Sequence, residues 1–304
     1  MKKSIFILGL LMVLSITTVF GQQDAQYTQY MYNMNILNPA YAGSRGHTSI
    51  GLLGRTQWVG ISGAPRTLTL SVDSPLGKNV GLGISAISDT YGPVKEQNIF
   101  ADFSYTVKMS DTGKLALGIK AGASFLDVDL SSLNPNDPET IGLEDINEVF
   151  PNIGAGAYFY TNNFYVGLSV PNFIDSVHKK ESQGIVSTAS DKMHFYLTSG
   201  YVFDISEDLK LKPSVLFKAV SGAPLSVDLS ANLLLHEKLE AGLSYRFDDS
   251  VSAMVGFRVS PGIRIGYAYD YTLSNLSDYN SGSHEIILLF EILGNKKLLS
   301  PRFF

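Results

Sequence analysis

From Leu209 to Tyr271 the chain alternates: nearly every odd-numbered position in the strand-like runs is apolar or aromatic, while the even-numbered ones are mostly polar, charged or glycine. Leu209, Leu211, Val215, Phe217 and Ala219 interleave with Lys210, Lys212, Ser214 and Lys218, and the same register continues through runs at Leu225–Leu233, Leu239–Phe247, Val251–Val259 and Ile263–Tyr271. Strand side chains point alternately to opposite faces, so each run predicts a β-strand with one greasy and one wet face. A soluble sandwich shares that alternation. Length distinguishes the two: the runs hold about 9 to 13 residues, against roughly 5 to 6 in globular sheets and ~9–11 for a tilted strand crossing a bilayer. Aromatic placement agrees, with Tyr245, Phe247, Tyr267, Tyr269, Tyr271, Phe203, Phe159 and Tyr165 near run ends, where amphipathic rings favour a membrane boundary.

The same reading places earlier strands at Ser49–Arg55, Thr67–Asp73, Asn79–Ser88, Asn98–Lys108, Lys114–Asp127, Asn152–Tyr160, Phe164–Pro171 and Lys192–Phe203, and a last one at Gly282–Leu293. The total is fourteen, an even number, and the connections alternate in length. Short ones such as Asp111-Thr112-Gly113 and Ser260-Pro261-Gly262 carry turn formers; the interleaved Thr56–Arg66, Asp89–Gln97, Val128–Pro151, Asn172–Asp191 and Thr272–Ser281 are longer. The pattern predicts an all-β, antiparallel, up-and-down transmembrane barrel of about 14 strands, preceded by a non-strand segment, with short turns and both termini on the periplasmic side.

Residues 1–21 read as a cleaved signal peptide: Lys2 and Lys3, an apolar stretch from Ile5 to Phe20, and a cut before Gln22. The expected organisation is then 22–47 as an N-terminal periplasmic or plug-like segment, 48–293 as the outer-membrane barrel, and 294–304 as a periplasmic tail. No later segment approaches eighteen uninterrupted apolar residues.

Composition narrows the chemistry. A net charge of -5 and a pI near 5.5 leave no basic footprint for nucleic acid, and the absence of cysteine removes disulfides and thiolate sites. Asp127, Asp129, Asp137, Glu139, Glu144, Asp145 and Glu148 crowd the longest connection without calcium-loop spacing, and His47, His178, His194, His236 and His284 are scattered. No nucleophile elbow, phosphate loop or zinc-protease motif occurs, so no enzyme, cofactor or metal is expected. The lumen-facing charges carry both signs: Lys120, Lys210, Lys212, Lys218, Arg246, Arg258 and Arg264 against Asp102, Asp228, Glu240, Asp270, Glu285 and Glu291. Mixed signs predict ion pairs across a filled or narrow interior.

Three blocks stand outside the strand pattern. Gln26-Tyr27-Thr28-Gln29-Tyr30-Met31-Tyr32-Asn33 leads to Asn38-Pro39-Ala40-Tyr41-Ala42-Gly43; Gly54-Arg55-Thr56-Gln57-Trp58-Val59-Gly60-Ile61-Ser62-Gly63-Ala64-Pro65 follows; Ser300-Pro301-Arg302-Phe303-Phe304 closes the chain. With these blocks the sequence resembles the PorP/SprF family of type IX secretion system outer-membrane proteins of Bacteroidetes. The resemblance implies a bacterial outer-membrane protein whose partners are secretion-machinery proteins or a cargo adhesin, alongside outer-membrane lipid, in export, surface attachment and gliding.

The candidate residues are Tyr30, Asn33, Asn38, Pro39, Tyr41, Gly43, Arg55, Gln57, Trp58, Gly60 and Pro65. Two readings of them stand side by side: glycine, proline and aromatic residues that fix a backbone at the barrel mouth, or a surface that docks a partner. The alternative function is a fatty-acid-transporter-like or porin-like barrel for a small or hydrophobic solute, its lumen plugged by the N-terminal segment.

Overall fold

The computed structural model describes residues 26–130, 145–174, 176–182, 185–191, 193–221 and 223–292. The signal-peptide segment 1–21, the tail 294–304 and the loop carboxylates Asp137, Glu139 and Glu144 lie outside the described residues.

The chain builds a closed antiparallel barrel. Its wall runs through β1 (Thr48–Thr56), β2 (Arg66–Leu76), β3 (Val80–Tyr91), β4 (Val94–Lys108), β5 (Lys114–Val128), β6 (Ile146–Tyr160) and β7 (Phe164–Val170). A hairpin of β8 (Ser176–Ser182) and β9 (Ile185–Asp191) stands apart, and the wall resumes at β10 (His194–Tyr201), which continues past Val202 into β11 (Phe203–Asp204). It then passes through β12 (Leu209–Val220), β13 (Ser226–Leu235), β14 (Leu239–Arg246), β15 (Ser250–Ser260), β16 (Ile263–Thr272) and β17 (Ser283–Ile292). Each wall strand pairs with its sequence neighbour, and β1 pairs with β17 to close the ring. With β10 and β11 as one wall strand the barrel has fourteen. No helix among the described residues is long and apolar enough to cross a membrane; the strands do the crossing.

The two faces of the wall differ as the alternation requires. Outward lie Leu68, Leu70, Ile84, Ile99, Ile119, Leu229, Leu243, Val255 and Ile286, all exposed; inward lie Lys120, Lys212, Asp228, Glu240, Arg264 and Glu285, all buried. An exposed apolar belt around a charged interior inverts a soluble fold and is stable only where lipid meets the belt. Tight turns close one end of the barrel: between β13 and β14, His236 and Glu237 both take positive φ, 50° and 54°, the left-handed backbone a primed hairpin turn demands.

Three details depart from the sequence reading. β4 starts at Val94 instead of Asn98, and β6 at Ile146 instead of Asn152, so the connection expected at Val128–Pro151 is shorter. The cause is a second apolar cluster of Leu126, Val128, Ile146 and Phe150, which carries the β4–β6 sheet further toward the long loops. The connection Asn172–Asp191 contains the β8–β9 hairpin, ordered by backbone pairing from Ser176↔Asp191 to Ser182↔Ile185. Tyr165 is not at the membrane boundary: it is buried in the lumen, its ring 5.9 Å from that of Tyr158.

Candidate functional site: a seated plug and a loop-end vestibule

Residues 26–47 lie inside the barrel. They form a 3-10 turn at Tyr30–Tyr32, one α-helical turn at Met34–Leu37 and a second 3-10 turn at Pro39–Tyr41. Every residue from Tyr27 to Ala42 is buried. Such short turns have almost no intrinsic stability, so the wall must hold them. The barrel's main apolar cluster is this contact: Tyr27, Tyr30, Met31, Met34, Ile36, Leu37 and Tyr41 of the plug meet Leu53, Tyr158, Tyr160, Tyr165, Tyr196, Leu216, Met254 and Ile287 of the wall.

Polar contacts fix its orientation around most of the ring. The Glu285 carboxylate accepts the backbone N–H of Thr28 at 2.9 Å and of Gln29 at 2.7 Å, while Arg55 reaches Glu285 at 3.2 Å, Asp270 at 2.7 Å and the Thr28 hydroxyl at 3.0 Å. Asn33 donates to Thr69 at 3.0 Å and accepts from the Ser71 hydroxyl at 2.8 Å. The Tyr32 hydroxyl donates to Glu240, and Arg45 and His47 both reach Glu291, at 2.9 and 3.2 Å. Lys120 pairs with Asp102 at 2.9 Å and donates to the Asn35 carbonyl at 3.3 Å. Ser104 and Ser169 donate to the carbonyls of Ala42 and Leu37, each at 2.7 Å. Buried charges are tolerated when paired: Arg45 and His47 on Glu291 tie plug to wall directly, while the wall pairs Arg55 with Asp270 and Glu285, and Lys120 with Asp102, hold groups that bond the plug in turn.

The Asn38–Gly43 block is the tightest part of the fit. Asn38 is the N-cap of the second 3-10 turn: its side chain accepts the Ala40 N–H at 2.9 Å, with Pro39 in the first helical position, and donates to the Ala157 carbonyl at 3.0 Å. Tyr41 packs edge-on against Tyr158 at 5.3 Å and lies under the Arg45 guanidinium at 5.8 Å. Gly43 has φ +72° and gives its N–H to Asp73 at 2.9 Å; an added Cβ there would sit 2.8 Å from Gly81 Cα. The wall answers with glycines. A Cβ on Gly118 would lie 2.3 Å from Ala40 N, one on Gly156 2.1 Å from Asn38 Oδ1, one on Gly81 2.0 Å from the Ala42 carbonyl oxygen and one on Gly266 2.4 Å from Gln29 Oε1. Gly81 and Gly118 are therefore the imprint of the plug backbone, and Gly156 and Gly266 that of the plug side chains Asn38 and Gln29.

The eleven candidate residues thus fall into two places. Tyr30, Asn33, Asn38, Pro39, Tyr41, Gly43 and Arg55 belong to the plug and its seat; Gln57, Trp58, Gly60 and Pro65 belong to the loop between β1 and β2, at the end with the long connections. That loop is braced. Gln57 donates its N–H to the Pro65 carbonyl at 2.9 Å, Trp58 N–H reaches Ser283 Oγ at 3.1 Å, Val59 exchanges backbone bonds with Ser281 and Gly282, and Gly92 N–H reaches Gly63 O at 2.8 Å. Trp58 is held at φ +44°, a left-handed conformation unfavourable for a bulky side chain.

Beside the loop opens a vestibule of about 740 Å³, lined by Gln57, Trp58, Ile61, Ala64, Pro65, Tyr91, Pro93, Val94, Leu225 and Phe247, with Gln26 and Arg246 also on its wall. Arg246 is clamped by Asp228 at 2.8 Å and Asp249 at 3.0 Å. Gly60 is not part of this lining; its φ of +106° sets the loop's bend. Sequence reasoning missed the seat glycines and Glu285 as a plug anchor. The glycines were visible as a strand-face pattern, but only the fold reveals what lies against them.

A family model described as type IX secretion system membrane protein PorP/SprF matches residues 19–290. No curated protein matches the chain. Among solved structures the chain is similar to the toluene transporter TbuX of Ralstonia pickettii (10% identity, TM-score 0.49, covering 84% of this chain and 92% of that one). It is also similar to the toluene transporter TodX of P. putida (12% identity, TM-score 0.49, covering 88% and 94%) and to the outer membrane protein Omp33 of Acinetobacter baumannii (11% identity, TM-score 0.46, covering 81% and 98%).

Proposed function

Because the chain belongs to the PorP/SprF family of type IX secretion system membrane proteins, we propose that it is an outer-membrane docking barrel, holding a secretion-machinery protein or a cargo adhesin by protein–protein contact. The observation that carries this reading is the plug: bonded to the wall around most of the ring, it fills the lumen and leaves the loop-end vestibule open above it to a macromolecule. On this reading the long loops face the cell exterior and the tight turns face the periplasm, in keeping with exported barrels. The partner inserts an apolar or aromatic segment beside Trp58, Pro65 and Phe247, as recognition sites favour concave apolar walls with a few fixed polar groups. Attachment of surface adhesins, including those used in gliding, is the role this arrangement serves; no catalytic step is assigned.

The test is affinity purification of the tagged full chain from native outer membrane, beside a Trp58→Ala variant. Type IX components or an adhesin should co-purify with the parent and be depleted with the variant. Equal recovery would move docking away from the vestibule, and recovery of neither partner class would overturn the reading. Passage of a small or hydrophobic solute, the rival function, requires the plug to leave its seat. Liposome swelling that stays at the protein-free background for both the parent and a plug-deleted variant would exclude it.

A further inference from the structure

Among the described residues, the outward face of the barrel carries a run of polar and cationic side chains in one sector. At the long-loop end, strand register aligns His284 of β17, Thr56 of β1, Arg66 of β2, Thr90 of β3 and Lys95 of β4 in one cross-strand row. All five have the parity of the lipid-facing set, since two residues further along stand Ile286, Gly54 and Leu68 in the next outward row. Around β14–β16 the same border is aromatic: Tyr245, Phe247, Tyr267, Tyr269 and Tyr271. Among the described residues, the outward-facing cations at this end lie in the first sector.

An open cavity of about 490 Å³ lies in that sector, lined by Gly54, Arg66, Leu68, Thr90, His284 and Ile286. Gly54 makes the dent: a Cβ there would meet nothing nearer than Leu68 Cδ1 at 4.0 Å, so space alone does not require glycine. Arg66 and Lys95 are exposed, and their side chains make no ion pair or hydrogen bond among the described residues. They stand two strands apart, roughly 10 Å. Asp127, the carboxylate opposite Lys95 on β5, ends the row. His284 Nδ1 is 2.7 Å from the Tyr267 hydroxyl; with the hydroxyl donating, Nε2–H remains available as a donor.

We propose that this sector is a binding site for a phosphate-bearing membrane lipid. The headgroup phosphate is held by Arg66 and His284, with Lys95 adding positive potential and the Thr56 and Thr90 hydroxyls at hand, while the acyl chains lie over Gly54, Leu68 and Ile286. Unpaired cations at the edge of an apolar belt fit an anion that arrives attached to hydrocarbon. The inference depends on the barrel crossing a membrane and is independent of what the vestibule binds.

Native mass spectrometry of the detergent-purified full chain tests it, with phosphatidylglycerol and phosphatidylcholine supplied at equal concentration and inorganic phosphate in a separate sample. Phosphatidylglycerol adducts should dominate in the parent protein, and the preference should fall roughly thirtyfold in Arg66→Gln/Lys95→Gln, at about 1 kcal/mol for each of the two cations. It should persist in Arg66→Lys and in a Lys108→Gln/Lys114→Gln control at the turn end. Heat-modifiable gel migration verifies that each variant is folded. Gly54→Leu, which fills the dent and keeps the charges, should also weaken the adduct and serves if the double variant fails to fold. An unchanged lipid preference in the folded double variant, or in Gly54→Leu, would overturn the proposal. So would inorganic phosphate adducts in the parent without any preference between the two lipids.

Discussion

The plug seat and the vestibule sit in one barrel and are built on opposite principles. In the seat the fit is close: the backbone at Pro39–Ala42 lies on Gly81 and Gly118, the Asn38 side chain lies on Gly156, and charged groups such as Asp102 with Lys120 and Glu291 with Arg45 find partners. At the vestibule the walls are open and mixed, with apolar Trp58, Ile61, Pro65, Leu225 and Phe247 beside Asp89, Arg246, Asp248 and Asp249, and the tryptophan sits in a strained backbone. The difference teaches where each kind of residue earns its place. Residues of the seat stabilise the barrel, and residues of the vestibule are free to recognise something outside it. Substitutions should divide the same way, with large stability losses in the seat and small ones at the vestibule.

The largest effect is expected at Lys120. Its replacement by Met leaves Asp102 buried and unpaired, a loss of about 3–5 kcal/mol, and the Lys120→Met/Asp102→Leu pair should recover most of it. Urea unfolding of the refolded barrel measures both; a single variant as stable as the parent would show that the seat is not held by its charges. Next comes Gly156→Val, whose Cβ falls on Asn38. Overpacking of this kind costs about 1–3 kcal/mol, and the strain should release the plug, seen as faster protease cleavage within residues 26–47. Protection equal to the parent's would mean that the seat yields elsewhere. Asn38→Ala removes the cap on Ala40 and the bond to Ala157, for about 1–2 kcal/mol in the same unfolding assay.

The smallest stability effect, and the sharpest test of the comparison, is Trp58→Gly. Relief of a left-handed tryptophan should stabilise by about 1 kcal/mol or leave stability unchanged, while partner recovery drops. A large loss of stability there would erase the distinction between the two regions.

Much of the wall was legible in the sequence. A period of two over Leu209–Tyr271 needs no partner to be read, because strand geometry alone assigns alternate residues to opposite faces, and run length and aromatic ends decide between lipid and a soluble core. The starts of β4 and β6 were less legible, since Val94, Ile146 and Phe150 lie outside the runs read as strands and pack with Leu126 and Val128 in one apolar cluster. The two backbone-rich blocks were visible as blocks. That one is the plug and the other a loop brace was not, because Asn38, Pro39 and Gly43 carry turn chemistry that would serve either place.

Sequence by itself determined the strand count, most of the lumen-facing charges (Arg55 and Asp73 escaped it) and the residues set aside from the repeat. Only the tertiary structure decided which charges pair and what the wall glycines face. Both depend on contacts between residues more than a hundred positions apart, such as Thr28 with Glu285 or Asn38 with Ala157, and local periodicity holds no record of such distances.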